Sequence, residues 1–236
     1  MKAMERLDKL LAGTGRWSRK EVKELVRTGR VRVNGVLAAK AEDKHDPDAL
    51  FTVDGEQVFC GKLVYIMMHK PGGVLSATED ARQQTVIDLL PEHLRKVGLF
   101  PVGRLDKDTE GLLLLTNDGP LGHELLAPKK HVDKTYFVRV DGELNREDTA
   151  AFLAGMTLED GYTCLSAGLE ILERANEGLV TLREGKYHQI KRMLAARGKP
   201  VVYLKRLTMG PLVLDECLQL GQWRELTEQE RKALGR

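Results

Sequence analysis

The sequence lacks the features of a membrane or secreted protein. No apolar run in its 236 residues approaches the ~20 residues that a membrane-spanning helix needs. The N-terminus is charged from its second residue and has no apolar stretch of the kind found in a signal peptide. We therefore expect a protein that binds no membrane and is located in the cytoplasm.

Cysteine is scarce, and the patterns of several common kinds of site are missing. The three cysteines, Cys60, Cys164 and Cys217, are far apart and odd in number, which excludes a disulfide framework and a cysteine-based zinc site. The six histidines show no helical zinc spacing. No glycine-rich phosphate loop and no nucleophile elbow is present. A metal or redox enzyme is therefore not indicated.

The small net charge of +2 hides an uneven distribution along the chain. Residues 1–45 contain twelve Lys and Arg against six Asp and Glu, a net charge of +6. The remainder carries 25 basic and 29 acidic residues, a net charge of −4. A basic segment joined to a mildly acidic larger part suggests a polyanion-binding module attached to another domain.

The basic segment has the pattern of two short helices followed by a small sheet. Leucines at helical spacing predict a helix over residues 4–12, and Ser18 with Glu21 fits the capping box of a second helix. Val31–Val33 alternates as a strand does, and Asn34-Gly35 is a hairpin turn. Basic side chains crowd both helices. The candidates for RNA contact are Arg6, Lys9, Arg19, Lys20, Lys23 and Arg27.

This segment resembles the RNA-binding domain named for ribosomal protein S4. The match is carried by Arg6-Leu7-Asp8-Lys9-Leu10-Leu11 and by Val33-Asn34-Gly35, and it covers most of residues 4–60. An ordinary basic helical hairpin with a solvated face is the alternative. We expect an S4-like RNA-binding domain over residues 1–60, a weakly patterned linker near 55–63 and a larger domain over 64–236.

The larger part has more predicted strands than helices, and they do not alternate strictly. This predicts an α+β fold, in which a mixed, mostly antiparallel sheet is flanked by helices. Among the expected helices are a short one over residues 85–90, before Pro91, and one over residues 187–196.

The most unusual stretch is Gly103–Gly119, in which a turn full of charge precedes four leucines. Leu112–Leu115 reads as a strand buried on both faces. The turn before it holds Arg104 and Asp106 at the mouth of that strand, together with other charged residues. A rigid strand with a polar loop at its end commonly supports chemistry, although a solvated surface loop would show the same charges.

Two further segments bring polar groups together. The first is Lys134-Thr135-Tyr136, and the second runs from Glu184 to Met193. In the second, His188, Lys191 and Arg192 are three and four residues apart, which would place them on one face of a helix. A solvated basic helix end would have the same spacing.

Together these segments resemble the RsuA-type branch of the pseudouridine synthases, which isomerise uridine in ribosomal RNA. The Gly-Arg-Leu-Asp turn with its apolar strand is the most specific part of the match, and the resemblance covers residues 4–230. Lys70-Pro71-Gly72-Gly73 and Leu207–Leu212 also fit. The resemblance implies an enzyme that breaks the glycosidic bond of a uridine, turns the base and rejoins it through carbon, without a cofactor.

The resemblance also implies roles for individual residues. Asp106 would be the catalytic carboxylate, acting on the sugar either as a nucleophile or as a base. Lys191 would pair with Asp106, and Arg192 is its neighbouring candidate. Tyr136 would stack on the target base, unless it is an ordinary core tyrosine. Arg104 would fill the gap that the flipped nucleotide leaves.

The expected substrate is small-subunit (16S) ribosomal RNA or its assembly particle, and we expect the protein to act as a monomer. This choice depends on Tyr187-His188-Gln189, a short segment in which His188 is also a candidate for substrate binding. Two alternatives stay open. One is the same chemistry on large-subunit (23S) ribosomal RNA, and the other is a non-catalytic RNA-binding or ribosome-assembly protein.

Overall fold

The computed structural model describes residues 4–14, 16–58, 60–61, 63–127, 130 and 132–236. Its N-terminal part contains two helices and six short strands. They are β1 Glu5–Arg6, α1 Leu7–Gly13, α2 Arg19–Arg27, β2 Val31–Val33, β3 Val36–Leu37, β4 Lys44–His45, β5 Phe51–Val53 and β6 Glu56–Val58. Strands β3, β2, β5 and β6 form a four-stranded antiparallel sheet in that order, and β1 pairs with β4.

The predicted start of the second helix is confirmed. The Ser18 hydroxyl accepts from the Glu21 backbone N–H, and the Glu21 carboxylate accepts from the Ser18 N–H, so both free donors of the first turn are satisfied. The first helix begins at Leu7, later than its leucine spacing suggested, because the two residues before it are paired as a strand.

The larger part contains nine strands and five helices in its described residues. They are β7 Tyr65–Lys70, α3 Glu92–Arg95, β8 Phe100–Pro101, β9 Glu110–Thr116, α4 Gly119–Leu126, β10 Lys134–Val140, α5 Arg146–Ala154, β11 Gly168–Ile171, β12 Glu177–Leu182, α6 Gln189–Ala196, β13 Val201–Met209, β14 Leu212–Val213, β15 Trp223–Glu225 and α7 Glu228–Ala233. None of the helices in the described residues has the length and apolarity that crossing a membrane requires.

A nine-stranded sheet organises this part of the chain. Its main path runs β11-β12-β10-β13-β9-β7-β15, with β14 on β13 and β8 on β9. Every pair in it is antiparallel except β13 with β9, which is parallel. The predicted α+β fold with a mixed, mostly antiparallel sheet is confirmed.

The leucine strand β9 is buried on both faces, as its continuous apolar run predicts. Leu112 and Leu114 pack into one core cluster with α4, whereas Leu113 and Leu115 pack into another with the segment around Val86. Successive side chains of a strand point to opposite faces, so a strand inside two cores needs apolar residues at every position.

The N-terminal part has a core of its own. Its buried cluster draws on residues from Leu7 to Val58, while the three clusters of the larger part draw on residues from Tyr65 to Leu234. We propose from these separate cores that residues 1–60 and 64–236 are two domains.

The expected helix over residues 85–90 is wrong. Asp88 accepts from both the backbone N–H and the hydroxyl of Thr85, and this closes a turn. The same exchange of bonds caps α2 at Ser18, so it does not by itself prevent a helix. Here the chain makes only i to i+3 turns before Pro91, and the residue before a proline is disfavoured in the helical conformation. The helix begins after Pro91 instead, as α3.

Gly111 is the point where β9 and β13 approach most tightly. Its φ is +110°, and an added Cβ would lie 2.2 Å from the carbonyl oxygen of Arg206 and 2.5 Å from its nitrogen. The Arg206 guanidinium is buried and its Nε donates to the carbonyl of Leu112 at 2.8 Å, which ties the same two strands together. The parallel pair therefore depends on glycine at this position.

We predict that Gly111→Ala destabilises the larger domain by roughly 3 kcal/mol or more, because a methyl group must displace backbone atoms of β13. Chemical denaturation followed by circular dichroism measures this. Gly119→Ala is the matched control: no atom lies within 4 Å of its Cβ position, so we expect a change within about 1 kcal/mol. Equal midpoints for the two variants would contradict the prediction.

Candidate active site

Residues 103–110, which we call the charged turn, lie at the start of β9 and are held by a buried lysine. Lys70 ends β7 opposite Gly111 and is fully buried. Its ammonium group donates to four backbone carbonyl oxygens at 2.9 to 3.2 Å, three of them in the charged turn. The acceptors are the carbonyls of Pro71, Asp106, Lys107 and Thr109.

Burial is the main effect on the pKa of Lys70 and lowers it to about 8, while the acidic side chains of the charged turn act to raise it. At neutral pH the group therefore keeps its proton and its three N–H donors. A buried ammonium must be compensated by hydrogen bonds. The charged turn supplies three of them, so a shift of the turn would leave the buried ammonium group without these acceptors.

Asp106 lies where two basic side chains meet, with 26% of its side chain exposed. Lys191 Nζ is 3.2 Å from Asp106 Oδ2, and His188 Nε2 is 3.6 Å from Oδ1. Lys191 also donates to Asp108 Oδ1 at 2.6 Å. The lysine thus bridges two carboxylates of the charged turn and leaves Asp106 partly open to solvent.

The pKa values of this group follow from the bridge. Burial alone would lower the pKa of Lys191, but hydrogen bonds to Asp108 and Asp106 raise it above its usual value. The hydrogen bond from Lys191 lowers the pKa of Asp108 below its usual range. Lys191 is therefore a fixed positive charge beside Asp106 at any pH near neutrality.

The predicted helix over residues 187–196 begins two residues later than expected. α6 starts at Gln189, and His188 precedes it in the left-handed conformation with φ of 50°. The expectation that His188, Lys191 and Arg192 share one helical face is therefore wrong. His188 and Lys191 still converge on Asp106, because the left-handed residue directs the chain back toward the charged turn.

Arg192 contacts a different carboxylate. Its NH2 group is 2.6 Å from Asp160 Oδ1. Of the two basic candidates that the sequence left open, Lys191 is the one that lies beside Asp106.

A small cavity of about 70 Å³ opens at Asp106. Arg104, which is exposed, and Tyr136, which is buried on β10, line it together with Lys191 and His188. The structure thus gathers five of the six predicted site residues of the larger domain around one cavity, and Arg192 is not among its lining residues.

A larger cavity of about 1050 Å³ lies between the N-terminal part and the larger domain. Its buried carboxylate, Asp118, is already engaged: it caps α4 and accepts from Tyr65 and Arg236. The small cavity is therefore the candidate for chemistry, since its carboxylate is partly accessible.

Sequence reasoning missed several residues that fix this site. Lys70 was named only as part of a segment that fits the family resemblance, although a lysine that continues a buried strand is a detectable signal. Glu110 accepts from the Tyr203 hydroxyl at 2.6 Å, and burial with this bond raises the pKa of Tyr203 to about 12. Lys107 donates to Gln83 at 2.8 Å. The Tyr203 bond anchors the charged turn to β13, whereas the bond from Lys107 to Gln83 is exposed.

The six predicted RNA-contact residues of the N-terminal domain are all exposed. Four of them form ion pairs with acidic residues of the same domain: Arg6 with Asp8, Lys9 with Glu5, Lys23 with Glu42, and Arg27 with Glu24. Within the described residues, Arg19 and Lys20 have no carboxylate at ion-pair distance. They are adjacent in the first turn of α2 and offer two positive charges on that helix that are unpaired among the described residues.

Comparison with known families agrees with this geometry. The sequence model of the family described as RNA pseudouridylate synthase matches residues 64–196, and that of the S4 domain matches residues 5–48. The first match spans more than half of the chain and contains Asp106, Tyr136 and Lys191. The chain belongs to the RNA pseudouridylate synthase family.

Three relatives of this pseudouridine synthase extend over nearly its full length. An uncharacterized RNA pseudouridine synthase of Bacillus subtilis is 52% identical, over 95% of this chain and 96% of its own. The ribosomal small subunit pseudouridine synthase A of Vibrio cholerae is 39% identical, with coverage of 95% and 97%. The ribosomal large subunit pseudouridine synthase B of Bacillus subtilis is 37% identical, with coverage of 98% and 96%.

A solved structure shows the same architecture. The crystal structure of a pseudouridylate synthase, 34% identical in sequence, superposes with a TM-score of 0.73 over 98% of this chain and 99% of the other. The fold and the enzyme class are therefore those of the family.

We predict that Lys70→Met lowers the rate of pseudouridine formation about a hundred-fold, because a loosened turn misplaces Asp106. The free energy of unfolding should fall by roughly 2 kcal/mol, since carbonyls lose their donor. Lys107→Met is the control within the same turn: its side chain is exposed and bonds only to Gln83 among the described residues, so both quantities should stay near wild type. Single-turnover kinetics and denaturation measure them. A Lys70→Met enzyme with wild-type rates would contradict the role of the clamp.

Proposed function

We propose that this enzyme converts one uridine of ribosomal RNA to pseudouridine, with the Asp106 carboxylate as the reacting group. The observation that carries the proposal is the position of Asp106. It is partly exposed in a cavity, on a turn held by a buried ammonium, and it has a lysine at 3.2 Å.

The reaction needs only groups that this cavity contains. The bond between the uracil N1 and the sugar C1′ breaks, the base turns, C5 bonds to C1′, and the C5 proton leaves while N1 gains one. Atoms and electrons balance without a donor or an oxidant, so no cofactor is required. Asp106 acts on the sugar either by attack on C1′ or by taking a proton, and both routes need an accessible carboxylate.

The surrounding residues have distinct tasks in this proposal. The positive charge of Lys191 holds Asp106 in position and balances charge that develops during the reaction. Tyr136 supports the base from the cavity wall. Arg104, which is exposed at the mouth, occupies the space that the flipped nucleotide vacates. His188 contributes to substrate binding from the cavity wall, and Arg192, which pairs with Asp160 and does not line the cavity, contributes from outside it.

Two classes of ribosomal RNA are candidate substrates. We propose small-subunit (16S) RNA, which the name of the 39%-identical relative and the segment from Tyr187 to Gln189 support. The 37%-identical large-subunit relative supports the alternative, which is the same chemistry on 23S RNA. The family to which the chain belongs argues against a purely structural, non-catalytic role. We further propose that the enzyme acts as a monomer, in the cytoplasm, where ribosomes are assembled.

Mapping pseudouridines in total ribosomal RNA tests the substrate. Cells with and without the gene are compared by chemical modification and primer extension. Loss of one site in small-subunit RNA is the expected result. Loss of a large-subunit site would indicate that the substrate is 23S RNA. An unchanged map in both RNAs would overturn the proposed function.

We predict that Asp106→Asn abolishes isomerisation and leaves RNA affinity within about three-fold, because the amide neither attacks nor accepts a proton. Lys191→Met should lower the rate about a hundred-fold. Arg192→Met should lower it less than about ten-fold, since Arg192 pairs with Asp160 instead. Rates on the mapped RNA and filter-binding affinities measure these effects. A larger loss for Arg192→Met than for Lys191→Met would reverse their assignment.

The N-terminal domain supplies phosphate contacts that do not depend on sequence. We predict that the double variant Arg19→Ala/Lys20→Ala makes the slope of log K against log salt concentration shallower by about 1.5, the value for two lost phosphate contacts. The matched control is Lys96→Ala/Lys232→Ala, which removes the same charge from exposed positions of the larger domain. Identical slopes for both double variants would show that α2 is not the docking surface.

A further inference from the structure

Tyr187 is an exposed aromatic residue with no assigned role. It exposes 72% of its surface, more than any other large apolar side chain in the described residues. The other exposed large apolar side chains among the described residues of the larger part are Leu or Val. A single exposed aromatic side chain is common and assigns no role by itself, so the contacts that hold this ring decide what it can do.

The ring is held in place on one side. Its centroid is 3.8 Å from that of the His188 ring, and the two planes differ by 18°, so the rings are stacked. His188 covers one face of the tyrosine, and the high exposure of Tyr187 leaves the other face to solvent.

The backbone around the ring is also fixed. The Gln189 side-chain oxygen accepts from the Lys186 N–H at 3.0 Å, which closes the turn that contains Tyr187. Gln189 is buried, and its amide nitrogen donates to Glu184 at 2.6 Å. The left-handed conformation of His188 is retained inside this frame. The ring is therefore preorganised before anything binds to it.

The stacked pair extends from the reacting group to the surface. His188 is 3.6 Å from Asp106 and lines the small cavity with Lys186. Tyr187 is not itself a lining residue, but it stacks on His188, which is, and it lies between two lining residues in the chain, so it is next to that cavity. Lys186 and the exposed Arg104 add positive charge on the same rim.

We propose that Tyr187 binds an unpaired nucleobase next to the target uridine, by stacking on its open ring face. This inference depends on the proposed function. When one nucleotide is flipped out, its neighbours lose a stacking partner, and an aromatic side chain at the cavity mouth replaces it. Basic side chains beside the ring bind the flanking phosphates. An unpaired base can reach the ring, whereas the bases of a continuous duplex cannot.

The test compares two RNAs in a background that binds but does not turn over. Asp106→Asn enzyme, with and without Tyr187→Ala, is titrated with an RNA hairpin whose loop contains uridines, and with the same sequence closed into a full duplex by its complement. Tyr187→Ala should weaken binding of the loop RNA about ten-fold and leave duplex binding unchanged. Tyr187→Phe should bind both RNAs as wild type does, because the ring face makes the contact.

Leu153→Ala, which removes another exposed side chain, from α5, is the control and should change neither affinity. Unchanged loop binding in Tyr187→Ala, or an equal loss on loop and duplex, would overturn the inference. Its failure is separable from that of the proposed function. A pseudouridine map that is the same with and without the gene overturns the proposed function, whereas a map that loses one site without the gene, together with unchanged loop binding in Tyr187→Ala, overturns only the role of Tyr187.

Discussion

The buried ammonium group of Lys70 is the contact on which the rest of the site depends. It sits at the end of a core strand, and four backbone carbonyls share its three N–H donors. Burial destabilises the charged ammonium, and the carbonyl acceptors compensate for that cost. Removing either the charge or the carbonyls therefore leaves the other without its partner. The backbone of Asp106 and of the residues that follow it is thereby fixed without any contact to the carboxylate itself, which stays partly exposed.

The position of Asp106 is set from several directions at once. Below it, the leucine strand is packed in two cores, and β13 approaches so closely at Gly111 that no side chain fits. Tyr203 on β13 bonds to Glu110 at the start of the strand. Above it, α6 brings Lys191 to Asp106 and Asp108. Charged residues that look equivalent in the sequence therefore have different contacts. The Asp106 carboxylate lines the cavity, whereas Glu110 binds Tyr203 and Asp108 binds Lys191.

Much of the architecture could be predicted because it follows from local rules. The leucine run, the hairpin at Asn34-Gly35 and the capping box at Ser18 each depend on neighbours within a few residues, and the structure contains all three. The two wrong predictions concern the helix over residues 85–90 and the start of α6, where the local pattern did not decide the conformation. The apolar pattern over residues 85–90 indicated a helix, but the chain makes only i to i+3 turns there before Pro91. The start of α6 was misplaced because helical periodicity carries no sign that His188 is left-handed.

The fold class and the basic N-terminal module could be read from the chain because apolar periodicity and charge are local properties, and the family resemblance added Asp106 as the candidate carboxylate. Which basic residue lies beside Asp106 depended on the three-dimensional structure. Lys191 and Arg192 are adjacent in sequence, and on a helix adjacent side chains diverge by about 100°. One therefore reaches the charged turn and the other reaches Asp160. The role of Lys70 also required the structure, since its partners are backbone carbonyls, which every residue has and no pattern of side chains reveals.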